Sequence, residues 1–184
     1  PEQLNRRTLR DVRVAPLTPT RSRTPEANSG PAQQRGDLIF FNGLGGFTSD
    51  GREYVISTAH KHLTPLPWAN VLANPYFGTV ISENGLSYTW LENAHEFRLT
   101  PWHNDPVMDE SGEAFYLRDD ETGYFWSPTP MPVRGATPYT TRHGFGYSAF
   151  EHTEGGITSE LCIYVALDAP VKIAGLKVRN NSGR

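Results

Sequence analysis

Residues 87–106, SYTWLENAHEFRLTPWHNDP, bring Trp90 and Trp102, His95 and His103, Arg98 and the carboxylates Glu92, Glu96 and Asp105 into one short span. Tryptophan beside charged or amide side chains suits a sugar, because a pyranose offers an apolar C–H face to a ring and a rim of hydroxyls to polar partners. Trp68 and Trp126 keep similar company among prolines and asparagines. The alternative makes all four tryptophans core and hairpin aromatics, which strands favour. The residues alone leave both readings open.

Two carboxylates can cleave a glycosidic bond when one is held protonated and the other ionised on opposite sides of the sugar. Asp105, Asp109, Asp119, Asp120 and Glu121 are available. DDETG nevertheless reads as an exposed turn and Asn-Asp-Pro as a turn initiator, so no catalytic pair is expected. His60 and His62 alternate as HKH, which would set both imidazoles on one side of a strand. No cysteine or carboxylate stands at a matching distance, so solvent-exposed histidines are expected rather than a metal site. In HGFGYS, glycines on both sides of Phe145 let the backbone approach a neighbour, and His143 and Tyr147 can hydrogen-bond either a ligand or another strand. NGLGGF lacks the lysine and hydroxyl of a P-loop, is not GxGxxG, and precedes no helical pattern, so its glycines are expected to serve a strand connection.

The elements that must position these residues read as β-structure. LIFF, NGLGGF, the turn signal SDG and REYVIS give strand, loop and strand. FGTVIS and LSYTWLE flank ENG, and Asn84-Gly85 is a strong hairpin signal. HEFRLT, EAFYLRD, YFWSP, HGFGYSAFEHT, GITSELCIYVAL and VKIAGLKVRN follow at intervals of about ten residues, punctuated by Gly, Pro, Asn and Asp. The fold class is therefore all-β, an antiparallel sandwich. Alternation in YTWLENAHEF breaks at Asn93-Ala94, which predicts a bend or bulge. In ITSELCIYVAL, Ile157, Leu161, Ile163 and Val165 share one apolar face of a core strand. Cys162 in the same run reads as a small buried hydrophobe without an internal disulfide partner.

The chain has 184 residues, enough for one core. Seventeen basic and twenty acidic residues give a net charge of −3, so no bulk field favours nucleic acid or an anionic membrane. No apolar run approaches the ~18 residues of a spanning helix, and the first residues lack the apolar centre of a signal peptide. Residues 1–35 hold five prolines and read as a linker or extended arm, with QLNRRTLRDVRV as a short basic helix, and residues 36–184 form the sandwich domain. The proline at the start and NNSGR at the end suggest a piece of a longer chain.

Several long stretches, in order, resemble a known family: FFNGLGGFTSDGREYVI, TPLPWANVLANPYFGTVISENGLSYTW, LTPWHNDPVMDESGEAFYLRDDETG, HGFGYSAFEH and LKVRNNSGR. They look like the start of a glycoside phosphorylase module of glycoside hydrolase family 94. They are more like the version at the C-terminal end of cyclic β-1,2-glucan synthases than like cellobiose phosphorylase. The resemblance runs from about Phe40 to the last residue. It implies a β-supersandwich of the galactose-mutarotase type, packed on an (α/α)₆ barrel that carries the catalytic acid and the phosphate site. Inorganic phosphate is then the co-substrate of the parent enzyme, and no cofactor or metal is implied for this portion. The family's sandwich is longer than this stretch, so missing edge-strand partners are expected.

On this resemblance no catalytic residue transfers, because no residue here aligns with one. Trp90, Arg98 and Trp102 match positions in the family's sandwich domain, which shapes one side of the active-site entrance and a dimer contact in some relatives. Together with His143 and Tyr147 they are the candidate carbohydrate-binding residues. The implied partners are a β-glucan or gluco-oligosaccharide, the barrel of the same chain and a second copy in a homodimer, with no nucleic acid. The implied location is the cytoplasm or the cytoplasmic face of a bacterial inner membrane. An autonomous carbohydrate-binding module and a disaccharide phosphorylase fragment are the alternatives.

Overall fold

The computed structural model describes residues 18–22, 36–59, 61–103, 105, 107–110 and 112–183. The short basic helix expected at QLNRRTLRDVRV lies outside them. The described elements are twelve strands: β1 (Arg21–Ser22), β2 (Gly45–Phe47), β3 (Glu53–Thr58), β4 (Ala69–Ala73), β5 (Phe77–Ser82), β6 (Ser87–Leu91), β7 (Leu117–Arg118), β8 (Tyr124–Trp126), β9 (Tyr139–Gly144), β10 (Tyr147–Glu154), β11 (Ile157–Val165) and β12 (Lys172–Asn180). They form a six-stranded antiparallel sheet in the order β12-β11-β10-β9-β3-β2, a three-stranded sheet β4-β5-β6 and a small sheet β1-β8-β7. The domain is all-β, as its alternation and turn signals dictate.

Period-two alternation sets the faces. In the pairing of β10 with β11, Phe150 lies opposite Leu161 and Ser148 opposite Ile163, and all four are buried. Across the gap, β4 and β5 supply Leu72, Phe77 and Ile81, which close one core cluster with Phe150, Leu161, Ile163 and Val165. Phe150, Leu161 and Ile81 are fully buried. The other face of the large sheet is polar. There Arg142 of β9 reaches Glu53 of β3 at 2.7 Å and Glu151 of β10 at 2.8 Å, and Lys177 of β12 meets Glu160 of β11 at 3.3 Å. Cys162 sits on this face, half-buried rather than in the core, and burial pushes its thiol pKa up.

Amides lock the two sheets together. Asn70 of β4 donates to the carbonyls of Gly144 and Tyr147, each at 3.0 Å, and thereby caps the β9–β10 turn from across the sandwich. Asn74 donates to the carbonyls of Ala166 and Ala169 at 2.8 Å, at the β11–β12 connection. These are buried backbone acceptors that the ladders cannot satisfy.

The Asn84-Gly85 turn forms as expected, with Gly85 at φ +85° between β5 and β6. Three readings change. LIFF makes only an isolated bridge, Ile39 to Phe47, because the chain turns at Phe40, whose φ is +53°. The glycines that follow form part of β2 itself: a Cβ on Gly45 would lie 2.7 Å from the Val55 carbonyl, so glycine permits the close approach of β2 to β3. HEFRLT contributes a single bridge, Arg98 to Trp90, rather than a ladder, since the chain bends after Glu92 at φ +57°. Two strands carry no obvious signal in the sequence, β4 in ANVLA and β9 in YTTRHG. β12 and β2 are the edge strands, and β12 leaves Leu176 and Val178 exposed.

Truncation of Phe150 to alanine should lower stability by about 3–5 kcal/mol, because the ring fills the centre of the intersheet contact. Urea unfolding followed by far-UV circular dichroism measures this, and a loss below about 1 kcal/mol would mean that the core lies elsewhere.

Candidate functional site

The outer face of the small sheet holds three of the five candidate residues. Tyr88 and Trp90 alternate onto this face from β6, and the bridge from Arg98 to Trp90 adds a third row beside them. Tyr88 stacks on Trp102 with centroids 5.0 Å apart and planes at 16°, and contacts Trp90 at 5.5 Å. The Arg98 guanidinium lies 5.3 Å from the Trp102 ring centroid. Trp90 lies flat over Gly78, the residue opposite it on β5, where a Cβ would overlap the indole. The result is an aromatic plate with Trp102 41% exposed and a cation beside it. Such a surface can stack on a sugar C–H face and donate hydrogen bonds to hydroxyls. Tyr88 was not singled out from the sequence, although its i, i+2 spacing to Trp90 puts it on the same face.

His143 and Tyr147 lie elsewhere and are engaged within the fold. His143 faces the sandwich interior, where Nε2 donates to the Trp68 carbonyl at 2.9 Å and Nδ1 is 2.9 Å from the Ser148 hydroxyl. Burial holds its pKa below the ordinary histidine value, so both ring nitrogens act as structural partners of a neutral ring. Tyr147 faces the opposite side of the sheet and donates to Glu53. Its ring covers Gly144, where a Cβ would fall 2.5 Å from it.

The carboxylates noted in the sequence are mostly turn formers. Asp105 accepts the amides of Val107 and Met108, and Asp119 accepts the Glu121 amide and the Thr122 hydroxyl in the β7–β8 turn. His62 is bonded to the Gly43 carbonyl at 3.0 Å, and His60 lies outside the described residues.

The more deeply placed acids are others, Glu83 and Glu154, which are buried, and Glu113, which is half-buried, and sequence alone could not distinguish them from surface glutamates. Glu83 is fully buried in the β5–β6 turn and accepts the Trp68 amide at 2.7 Å, the Thr64 hydroxyl and the Asn84 amide. Burial raises its pKa against these bonds. Asp109 is raised by burial too, beside the Ser82 hydroxyl at 2.9 Å. Glu113 reaches between the sheets to Lys172 of β12 at 2.6 Å, with Thr89 and Thr100 donating to its other oxygen. Burial works to raise this carboxyl, but the Lys172 ammonium and the hydroxyls hold it below the ordinary glutamate value. Lys172 also donates to Thr79 and Ser87, each at 3.1 Å, so the pair is satisfied on all sides.

Three outcomes test this description. Gly78→Ala should displace the Trp90 indole and change the near-UV circular dichroism while the far-UV spectrum stays; an unchanged near-UV spectrum would contradict the plate geometry. Lys172→Met should cost about 2 kcal/mol by leaving the half-buried Glu113 carboxylate without its cation, and adding Glu113→Gln should restore most of the loss. The third concerns pH. A raised folded-state pKa gives stability that is full below the unfolded value and is lost as pH rises through the folded value. Asp109→Asn should therefore gain in urea midpoint relative to the parent chain between pH 4 and 7, and a flat difference would show that Asp109 is not held in a desolvated site.

Residues 52–184 match the family model described as the supersandwich domain of glycosyl hydrolase 94. The chain is 38% identical over 161 residues to the cyclic beta-(1,2)-glucan synthase NdvB of Rhizobium meliloti (strain 1021), covering 87% of this chain and 6% of that protein. It is 35% identical over 141 residues to an N,N'-diacetylchitobiose phosphorylase of Vibrio furnissii, covering 75% and 17%, and 31% identical over 149 residues to a solabiose phosphorylase of Paenibacillus borealis, covering 77% and 18%. The chain thus spans less than a fifth of each of these relatives. With the family model covering most of its length and two packed antiparallel sheets beneath, the chain belongs to the glycosyl hydrolase 94 supersandwich-domain family.

Proposed function

We propose that this domain is the non-catalytic β-sandwich portion of an enzyme acting on β-glucans. In that reading the parent either controls β-1,2-glucan chain length or phosphorolyses the chain to glucose 1-phosphate. The observation that carries it is the match of one supersandwich domain to both a cyclic glucan synthase and several phosphorylases, each much longer than the match. The geometry is consistent with a scaffold: the buried Glu83 and the half-buried Glu113 hold loops and sheets together. A general acid needs instead to reach a glycosidic oxygen. The proposed partner is the (α/α)₆ barrel of the same parent, with inorganic phosphate as its co-substrate. Attack by phosphate from the face opposite the protonated leaving oxygen requires no second carboxylate. We place the parent in the cytoplasm or on the cytoplasmic face of the inner membrane.

A second reading, an autonomous carbohydrate-binding module, is favoured by one feature, the exposed plate of Trp90, Arg98 and Trp102.

Incubated with phosphate and β-1,2-gluco-oligosaccharide, the 184-residue chain should release no glucose 1-phosphate, and clear turnover would overturn the scaffold role. Calorimetric titration separates the second reading from the first: heat at millimolar β-glucan that disappears in Trp102→Ala would establish binding on the plate.

A further inference from the structure

A cleft of about 530 Å³ opens at the end of the sandwich opposite the β9–β10 turn. One wall is the β7–β8 hairpin with Leu117, Phe125 and Trp126, and the facing wall is Ile157 of β11 and Val178 of β12. Arg134 and Gly135 form the floor. The volume lies within the range of small-ligand sites, and the lining joins aromatic and aliphatic surface to a few polar groups. None of the five candidate residues lies in it.

Two buried side-chain donors line the cleft, the Trp126 indole N–H and the Arg118 Nε–H. Trp126 is 6% exposed and its indole Nε1–H has no acceptor among the described residues. Beneath Gly135, His152 is 3% exposed, stacks on Tyr139 at 3.6 Å and holds its Nε2 3.4 Å from Glu154 Oε2. Buried donors of this kind are almost always satisfied in folded proteins, so a ligand group is the natural complement of an indole N–H at a cleft wall. Gly135 keeps the floor low, since a Cβ there would fall 2.6 Å from His152 Nε2 and 2.5 Å from Glu154 Oε2. The Arg134 guanidinium contacts Thr58 and Asn84, each at 3.4 Å, and lies 5.7 Å from the Tyr139 ring centroid, and none of these three residues lines the cleft.

The rim decides the ligand class. Asp120 and Glu121 stand at the mouth in the β7–β8 turn, and Asp120 is paired with Arg118 at 2.9 Å. Carboxylates at the mouth repel phosphates and carboxylates and accept hydroxyl donors. Aromatic and aliphatic walls suit the C–H faces of a pyranose. We propose that this cleft binds a neutral gluco-oligosaccharide, with Trp126 Nε1–H donating to a hydroxyl and the chain lying between the β7–β8 hairpin and the inner face of β12. The choice of glucan among neutral sugars rests on the function proposed above. The location rests on the cleft alone.

The test is calorimetric titration of the 184-residue chain with β-1,2- and β-1,4-gluco-oligosaccharides, with mannan and galactan oligosaccharides as the comparison. Val178→Trp, at an exposed position of the wall, should fill the cleft and abolish binding with the fold intact by circular dichroism. Trp126→Phe removes the N–H together with the five-membered ring of the indole and should weaken binding at least fivefold, about the worth of one neutral hydrogen bond. Tyr164→Ala, on the far face of the large sheet, should bind as the parent chain does. β-Glucan binding that survives Val178→Trp, or no binding at millimolar sugar, overturns the cleft and leaves the proposed function standing. Binding of mannan or galactan but not of β-glucan overturns the choice of glucan and that function with it. A chain that self-associates, and that Val178→Trp makes monomeric with no sugar effect, overturns the proposal in favour of a polypeptide strand on β12.

Discussion

The structure depends on the burial of one sheet face against another. Phe150, Leu161, Ile163 and Val165 on the large sheet and Leu72, Phe77 and Ile81 on the small one form a single apolar contact, and every other feature is arranged around it. The strands that meet there are far apart in sequence. β3 pairs with β9 only after the chain has left the large sheet, built the three-stranded sheet and the β7–β8 hairpin, and returned. The two layers therefore form together, since each supplies the apolar surface that the other buries.

Closing two sheets traps polar backbone and side chains between them, and the sequence answers with paired devices. Asn70 and Asn74 satisfy carbonyls at two hairpin ends of the large sheet. Lys172 and Glu113 form a half-buried ion pair that ties the edge strand β12 to the segment after the small sheet, with threonine hydroxyls bonded to the other carboxylate oxygen. Such a pair adds little net stability over an apolar substitute, but it penalises any packing that separates the partners. It specifies register as much as it stabilises. Glu83 does similar work at the β5–β6 turn, where its carboxylate fixes the Thr64–Trp68 loop against the hairpin.

The surfaces left over have distinct characters. The outer face of the large sheet is a ladder of charges centred on Arg142, whose guanidinium is taken up by Glu53, Glu151 and Glu160. The outer face of the small sheet carries the plate of Tyr88, Trp90 and Trp102, held flat because Gly78 leaves room beneath Trp90. The end of the sandwich carries the cleft with its unpaired indole N–H. Arginine stands beside both aromatic regions, Arg98 on the plate and Arg118, paired with Asp120, at the cleft.

Sequence by itself determined the all-β class, the turns at Asn84-Gly85 and in DDETG, and the apolar face of β11, because each follows from local backbone preference or period-two alternation. It also carried the family resemblance through long ordered motifs. It placed Trp90, Arg98 and Trp102 together because all three lie within thirteen residues of a bent hairpin. Only the tertiary structure decided that His143 and Tyr147 point to opposite faces of one sheet, that β4 and β9 are strands despite polar inward residues, and which glutamates are buried. Those outcomes depend on what a distant strand places opposite each side chain: Trp68 for His143, Glu53 for Tyr147, Lys172 for Glu113. The cleft is of the same kind, for Trp126 and Val178 line it together only through the arrangement of the β7–β8 hairpin and β12, which no local pattern encodes.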